Sequence, residues 1–201
     1  GRPIADHGMT LAPGDAVFVD LNGDGVLNGD DATRDIGFTD IPEYTAGLNL
    51  GFSWKNFDFS MQWTGAWNVD RMLSEFRRPL GDTNSKALLL YQYETTWRSS
   101  EDTFTAKFPR ASNSHASNNY RGTDLYLINA SYLRLKNVEI GYNFDFPFMK
   151  KMKLDNCRLY INGYNLLTIT GFDWGDPESR QSDRPNYPLT RVFNIGLKVG
   201  F

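Results

Sequence analysis

A single cysteine, Cys157, in 201 residues leaves no partner for an internal disulfide. Its scarcity also suits a protein that passes through an oxidising compartment and avoids cysteine. No apolar run approaches the ~18 residues of a membrane helix, and the mean hydropathy is −0.48, which together exclude a helical membrane protein. Excess basic charge is missing too. A formal net charge of −3 and a pI near 5.4 give no reason to expect nucleic acid as a partner. The two histidines, His7 and His115, stand apart from each other and from Cys157, so no metal-ligand spacing is present around them. No acid–base pair stands out, and an enzymatic role is not expected. An initiator Met and a signal peptide are also lacking at Gly1, and the chain is expected to be a fragment or a processed piece.

What the chain does have is aromatic residues, at 14%, eighteen glycines, and five stretches in which apolar and small or polar residues alternate. The last is the cleanest. Phe193, Ile195, Leu197, Val199 and Phe201 alternate with Asn194, Gly196, Lys198 and Gly200. Side chains alternate across a strand, so one face is greasy and the other small or polar. About ten such residues make a tilted strand that crosses a bilayer. The same alternation runs through 44–54 and 57–67, joined by Lys55-Asn56, which predicts a tight hairpin. Two further strands are predicted over 133–144 and, less cleanly, 157–167. In the first of these, Arg134 and Lys136 occupy the apolar register. They are expected to lie beyond the hydrocarbon or under a protein cover.

The connections alternate in length: 55–56 is short, 68–131 long, 145–156 moderate and 168–190 long. Outer-membrane barrels pair short periplasmic turns with longer extracellular loops. With a periplasmic C-terminus, 1–43, 68–131 and 168–190 become extracellular, and every connection fits. The expected fold is all-β: about five C-terminal strands of a large antiparallel transmembrane β-barrel over 44–201, preceded by an extracellular loop over 1–43. Five strands cannot close a barrel, because an open edge in lipid leaves backbone groups unsatisfied. The remaining wall is expected from sequence beyond this chain, a second chain or further copies.

Several motifs combine into a family pattern. Ala130-Ser-Tyr-Leu-Arg-Leu-Lys-Asn-Val-Glu-Ile-Gly-Tyr142, Leu159-Tyr-Ile-Asn-Gly-Tyr-Asn-Leu-Leu-Thr168, Asp176-Pro-Glu178 and Tyr187-Pro-Leu-Thr-Arg-Val-Phe193 occur in order. Asp20-Leu-Asn-Gly-Asp-Gly25 and Phe108-Pro-Arg110 precede them. This set resembles the C-terminal part of the SusC/RagA family of TonB-dependent outer-membrane transporters, over roughly residues 14–201. The resemblance implies a large plugged barrel in a Gram-negative outer membrane that imports oligosaccharides or peptides. It further implies force from TonB, a SusD-like surface lipoprotein as lid, and insertion by the barrel-assembly machinery, with Phe193, Ile195, Leu197, Val199 and Phe201 as the assembly signal. The plug and the energy-coupling segment are not in this sequence. The alternative is a soluble calcium-binding β-sandwich, such as a carbohydrate-binding module or adhesin.

The stretch 20–31 has calcium-loop spacing. Asp20, Asn22, Asp24, Asn28 and Asp31 offer side-chain oxygens, Val26 its carbonyl, and Gly25 the sharp turn. A structural Ca²⁺ ion and a plain Asx-rich turn are both open readings. Trp54, Phe57, Phe144, Phe146 and Phe148 are expected to form an interfacial girdle. Trp67, Trp97, Tyr120, Tyr126, Phe172 and Trp174 lie in or near the loops and are candidates to stack on sugar rings or pack on a lipoprotein partner, Trp67, Trp97, Tyr126 and Trp174 foremost; packing among the loops is the plainer reading. Arg77-Arg78 reads as a solvated loop pair, and Asp58 and Glu139 as lumen-facing.

Overall fold

The computed structural model describes residues 4–74, 90–147, 154–179 and 189–201. Arg77-Arg78 and Phe148 lie outside the described residues. The chain divides into two compact units. One is built mainly from Gly1–Gly37 and Arg71–Ile128, the other mainly from Phe38–Asp70, Asn129–Gln181 and Pro185–Phe201.

The second unit is organised by one antiparallel sheet of five strands. These are β1 (Tyr44–Trp54), β2 (Phe57–Trp67), β5 (Tyr132–Phe144), β6 (Asn156–Thr170) and β7 (Val192–Gly200), ordered β1-β2-β5-β6-β7. Two short strands, β3 (Asp70–Met72) and β4 (Leu127–Asn129), pair separately. The sheet is a meander: each long strand neighbours the next one in sequence, as the alternating loop lengths require.

Register makes one face of this sheet apolar across its full width. Phe52, Phe59, Ile140, Ile161 and Ile195 lie opposite one another in a single row. Leu50, Met61, Val138, Gly163 and Phe193 form the next row, and Trp54, Phe57, Tyr142, Leu159 and Leu197 the row on the other side. Among the described residues nothing covers this face. Phe52 is 62% exposed, Ile161 53% and Ile195 76%. A soluble sandwich buries such a face against a second sheet about 10 Å away, so the sandwich alternative does not describe this fold.

One irregularity changes the reading of β5. Gln62 pairs with Asn137, but the next residue, Trp63, pairs with Leu135, leaving Lys136 as an extra residue. On the other side, Lys136 faces two residues of β6, Asn165 and Leu166, and Asn165 takes φ 53°. A bulge flips the alternation phase of a strand. Leu135 and Leu133 therefore join the apolar face beside Trp63 and Gly65, while Arg134 pairs with Thr64 and Thr168 on the polar face. The expectation that Arg134 interrupts the apolar register is corrected: the bulge moves it to the other side of the sheet.

Among its described residues the first unit has little regular structure, with short helices α1 (Leu90–Thr95) and α2 (Ala116–Asn119) and several single turns. Its core is polar as well as apolar. Phe108 stacks on Tyr126 at 5.6 Å between ring centroids. Asp15, whose side chain is fully buried, takes Arg110 Nε at 2.6 Å, Asn119 Nδ2 at 2.9 Å and the Ala12 backbone N–H at 2.7 Å. His115 Nδ1 lies 2.6 Å from Asp15 Oδ2, the oxygen that also accepts the Ala12 N–H, while Arg110 and Asn119 share Oδ1. Asn119 Oδ1 in turn accepts the Ala16 N–H, and Asn118 donates to the Ala16 carbonyl. Residues 12–16 are thus tied to 110–119 by hydrogen bonds among largely buried polar groups, with Asn118 Oδ1 the one side-chain atom of this cluster buried without a partner.

Candidate functional site: a two-faced membrane wall

The apolar face ends in aromatic residues at both edges. At the Lys55-Asn56 turn, Phe57 meets Tyr142 edge-on at 4.7 Å, Tyr142 meets Phe144 at 5.0 Å, and Phe144 stacks on Phe146 at 5.4 Å. Lys55 Nζ stands 5.0 Å from the Trp54 ring centroid. At the opposite edge Tyr44 pairs with Trp67. From Trp54 to Tyr44 is ten residue steps, ~33 Å along the strand at about 3.3 Å each. Tilted by ~40°, that length spans ~25 Å, the height of the apolar band of a membrane barrel between its aromatic girdles.

The opposite face is a polar wall. Arg158 on β6 donates from Nε to Asp58 Oδ2 at 3.0 Å, and from Nη2 to Asp58 Oδ1 and, at 2.7 Å, to Glu139 Oε1. Asn143 adds a bond to Asp58 at 3.2 Å, and Asn194 donates to Asn162 at 2.9 Å. The glycines of the alternating pattern make this arrangement fit. A Cβ on Gly141 would collide with the Arg158 guanidinium, and one on Gly196 with the Tyr160 ring. Glycine lets these side chains lie down across the sheet. The expectation that Asp58 and Glu139 belong to the non-lipid face agrees with this register. Their cation, Arg158, went unremarked in the sequence because only its polar position, not its partners, is visible there.

A second charged cluster sits near the far end of the polar face. Arg134, with a side chain only 3% exposed, donates to Asp176 Oδ1 and Glu178 Oε2, both at 2.7 Å, and to Thr168 Oγ1 at 2.9 Å. Lys136 Nζ lies 2.8 Å from Glu178. The cover expected over Arg134 is therefore present, supplied by Asp176 and Glu178. Burial pushes the Asp176 carboxyl up, but the bonds from Arg134 and the Glu178 N–H outweigh it and hold Asp176 below the ordinary carboxylate range.

The residues singled out for stacking on solute do not converge. Trp67 is on the apolar face, level with Tyr44, where it joins the upper aromatic edge. Trp97 packs over Gly14, where any Cβ would strike its ring. Tyr126 is 1% exposed and donates its hydroxyl to the Asn119 carbonyl, which leaves its ring no free face. Trp174 is half-buried, two residues before Asp176 in the chain. His7 is held locally, with Nδ1 on the Ala5 carbonyl and Nε2 taking the Phe18 N–H.

In the 20–31 loop, the side-chain oxygens meet backbone N–H groups. Asp20 takes those of Gly23 and Gly25, Asp24 that of Val26, Asn28 that of Asp30, and Asp31 those of Leu21 and Asn28. These bonds hold the Asp31 carboxyl below the ordinary range, the Asn28 N–H first among them. Among the described residues, no group of three or more His, Cys, Asp or Glu side chains is arranged to hold a metal ion.

No protein-family model matches the chain. Curated relatives do. The chain is 31% identical over 206 residues to TonB-dependent receptor P3 of Formosa agariphila, covering 94% of this chain and 19% of that receptor. It is 25% identical over 191 residues to the TonB-dependent receptor SusC of Bacteroides thetaiotaomicron, covering 94% of this chain and 18% of SusC. The chain belongs to the SusC/RagA family of TonB-dependent outer-membrane transporters. It corresponds to their C-terminal part and spans about a fifth of the length of the relatives it matches. The RagAB peptide importer in its open-open state superposes with a TM-score of 0.69 over 92% of this chain at 22% identity, and the RagAB peptide transporter with 0.65 over 88%. At those identities the likeness establishes the fold: the five-stranded sheet of this SusC/RagA segment is barrel wall. Its apolar face is the lipid side, and its polar face, with Arg158, Asp58, Glu139 and Arg134, is the lumen side. The relatives are receptors and transporters rather than enzymes.

Proposed function

We propose that this segment serves in an importer of oligosaccharides or peptides across the outer membrane of a Gram-negative bacterium. Its strands form lipid-facing wall, and 1–43, 68–131 and 168–190 belong to the extracellular mouth. The observation that carries the reading is the five-strand apolar face, uncovered across its width and bounded by aromatic residues at both edges, backed by a lumen wall of paired charges and amides. Energy from TonB, a SusD-like surface lipoprotein over the mouth, and the rest of the barrel and plug would come from sequence outside this chain. The final strand, with Phe193, Ile195, Leu197, Val199 and the exposed Phe201, is the proposed signal to the barrel-assembly machinery. A calcium ion in the 20–31 loop is a separate part of the proposal, supported by donor spacing alone, since the loop's hydrogen bonds already fold it. The test is uptake by cells that express the intact receptor. TonB-dependent uptake of an oligosaccharide or peptide mixture, lost on deletion of the receptor, supports the reading. Uptake that persists without the receptor or without TonB refutes it.

A further inference from the structure

The sequence 171–179, Gly-Phe-Asp-Trp-Gly-Asp-Pro-Glu-Ser, begins the β6–β7 connection yet does not leave the wall. Its two ends are fastened to the lumen face of the sheet. At the near end, Thr170 Oγ1 donates to the Ser131 carbonyl and accepts the Phe172 N–H, and Phe172 is buried. At the far end, Asp176 and Glu178 close on Arg134 from two sides, Glu178 also takes Lys136, and the Glu178 N–H turns back to Asp176 Oδ1. Asp176 and Arg134 are both almost wholly buried, at 7% and 3% side-chain exposure. Only the Lys136–Glu178 side of the cluster faces water, where an ion pair holds weakly. Arg134 reaches these carboxylates only because the Lys136 bulge turned it inward. Bulge, guanidinium and carboxylate pair are one device, and its product is a length of chain laid along the inner wall.

Building on the import reading, we propose that 171–179 is a fixed selectivity strap. It narrows the solute path beside β5 and β6 and carries the exposed Asp173 and half-buried Trp174 as its solute-side edge. Arg134 is the positioning residue that sets where this edge stands. A bidentate guanidinium pinned by two carboxylates and Thr168 defines one geometry; a lysine at the same position supplies the charge without the fork.

The experiment uses the intact receptor with Arg134→Met, Arg134→Lys and Trp174→Ala. Hydrogen exchange read by mass spectrometry reports the strap, with peptides from β5 and β6 as the folding control. Uptake of a size-graded oligosaccharide mixture and a size-graded peptide mixture reports selectivity. Arg134→Met is expected to lose slow exchange across 171–179 while strand peptides stay protected, and to shift the uptake limit toward larger solutes. Arg134→Lys falls between wild type and Met. Trp174→Ala shifts the limit while keeping exchange slow. Unchanged exchange in Arg134→Met, or lost protection with an unchanged size profile in both Arg134→Met and Trp174→Ala, overturns the strap. Failure of both mixtures to enter wild-type cells overturns the import reading itself, a result that the exchange data do not mimic.

Discussion

Replacing Asp15 by Asn removes one charge from the centre of the first unit and changes almost no volume. Asp15 is fully buried and faces Arg110 and His115, at 28% and 19% exposure. Breaking a buried ion pair from one side costs ~3–5 kcal/mol, because the partner charge is left behind without compensation. Arg110 keeps some access to water, which discounts the cost to about 2–3 kcal/mol. By contrast, one neutral bond can persist, because Asn119 donates to Oδ1 and the Ala12 N–H to Oδ2, and only one of those positions remains an oxygen in the amide. The same group sets a pH dependence. Burial pushes Asp15 up, but the bonds from Arg110, Ala12, Asn119 and His115 outweigh it and hold the carboxyl well below its ordinary range. A depressed folded-state pKa contributes stability that is fully present above the unfolded value, ~3.9. That stability is lost as pH falls below it toward the folded value. Hydrogen exchange in the intact receptor at neutral pH is the assay. Peptides covering 12–16 and 110–119 should exchange on the order of 30- to 150-fold faster in Asp15→Asn, the factor that corresponds to 2–3 kcal/mol. In the wild type they should stay protected down to about pH 4. Equal exchange in wild type and variant at neutral pH refutes the reasoning.

Further outcomes follow from the two faces and the loops. Ile195→Arg puts a guanidinium in the hydrocarbon at a cost of ~2–4 kcal/mol near the midplane, and should lower assembled barrel in heat-shift gels, whereas Asn194→Arg on the lumen side should assemble normally. Deleting Phe201 should reduce the rate of assembly if the terminal aromatic is read as a signal; normal assembly rejects that role. Calorimetry of the intact receptor with Ca²⁺ should show heat that disappears in Asp24→Ala if the 20–31 loop holds the ion, and identical heats remove it.

Much of the wall was legible in the sequence because a strand that divides lipid from water must alternate. Strands β1 and β2 coincide with the alternating stretches 44–54 and 57–67, and the Lys55-Asn56 hairpin with the two-residue gap between them. Strand β6 runs further than its pattern suggested, to Thr170, because Asn165 and Leu166 at the bulge break the alternation that would have marked it. The bulge itself left one trace, the misplaced Arg134 and Lys136. Its remedy required knowing which residues oppose Lys136. The lumen cluster and the Asp15 cluster were illegible for a simpler reason. Arg158 finds Asp58, and Asp15 finds His115, each 100 residues away, and no local spacing encodes such pairs. For the strap, the oppositely charged Arg134 and Asp176-Pro-Glu178 were both in view as family motifs, and their sign was the available clue. Trp67 closes the alternating stretch 57–67 in phase with Phe57 and Met61, and the structure keeps it on that face at the end of β2.

The most direct measurement is a spin-label scan of β7 in the membrane-inserted receptor, made in a Cys157→Ser background with single cysteines at 193 through 199. Collision with oxygen reports lipid, and collision with a water-soluble nickel complex reports the lumen. High oxygen and low nickel accessibility are expected at 193, 195, 197 and 199, and less oxygen relative to nickel at 194, 196 and 198. Equal accessibility at neighbouring positions, or nickel contact at Ile195 and Leu197, contradicts a wall with lipid on one side and water on the other.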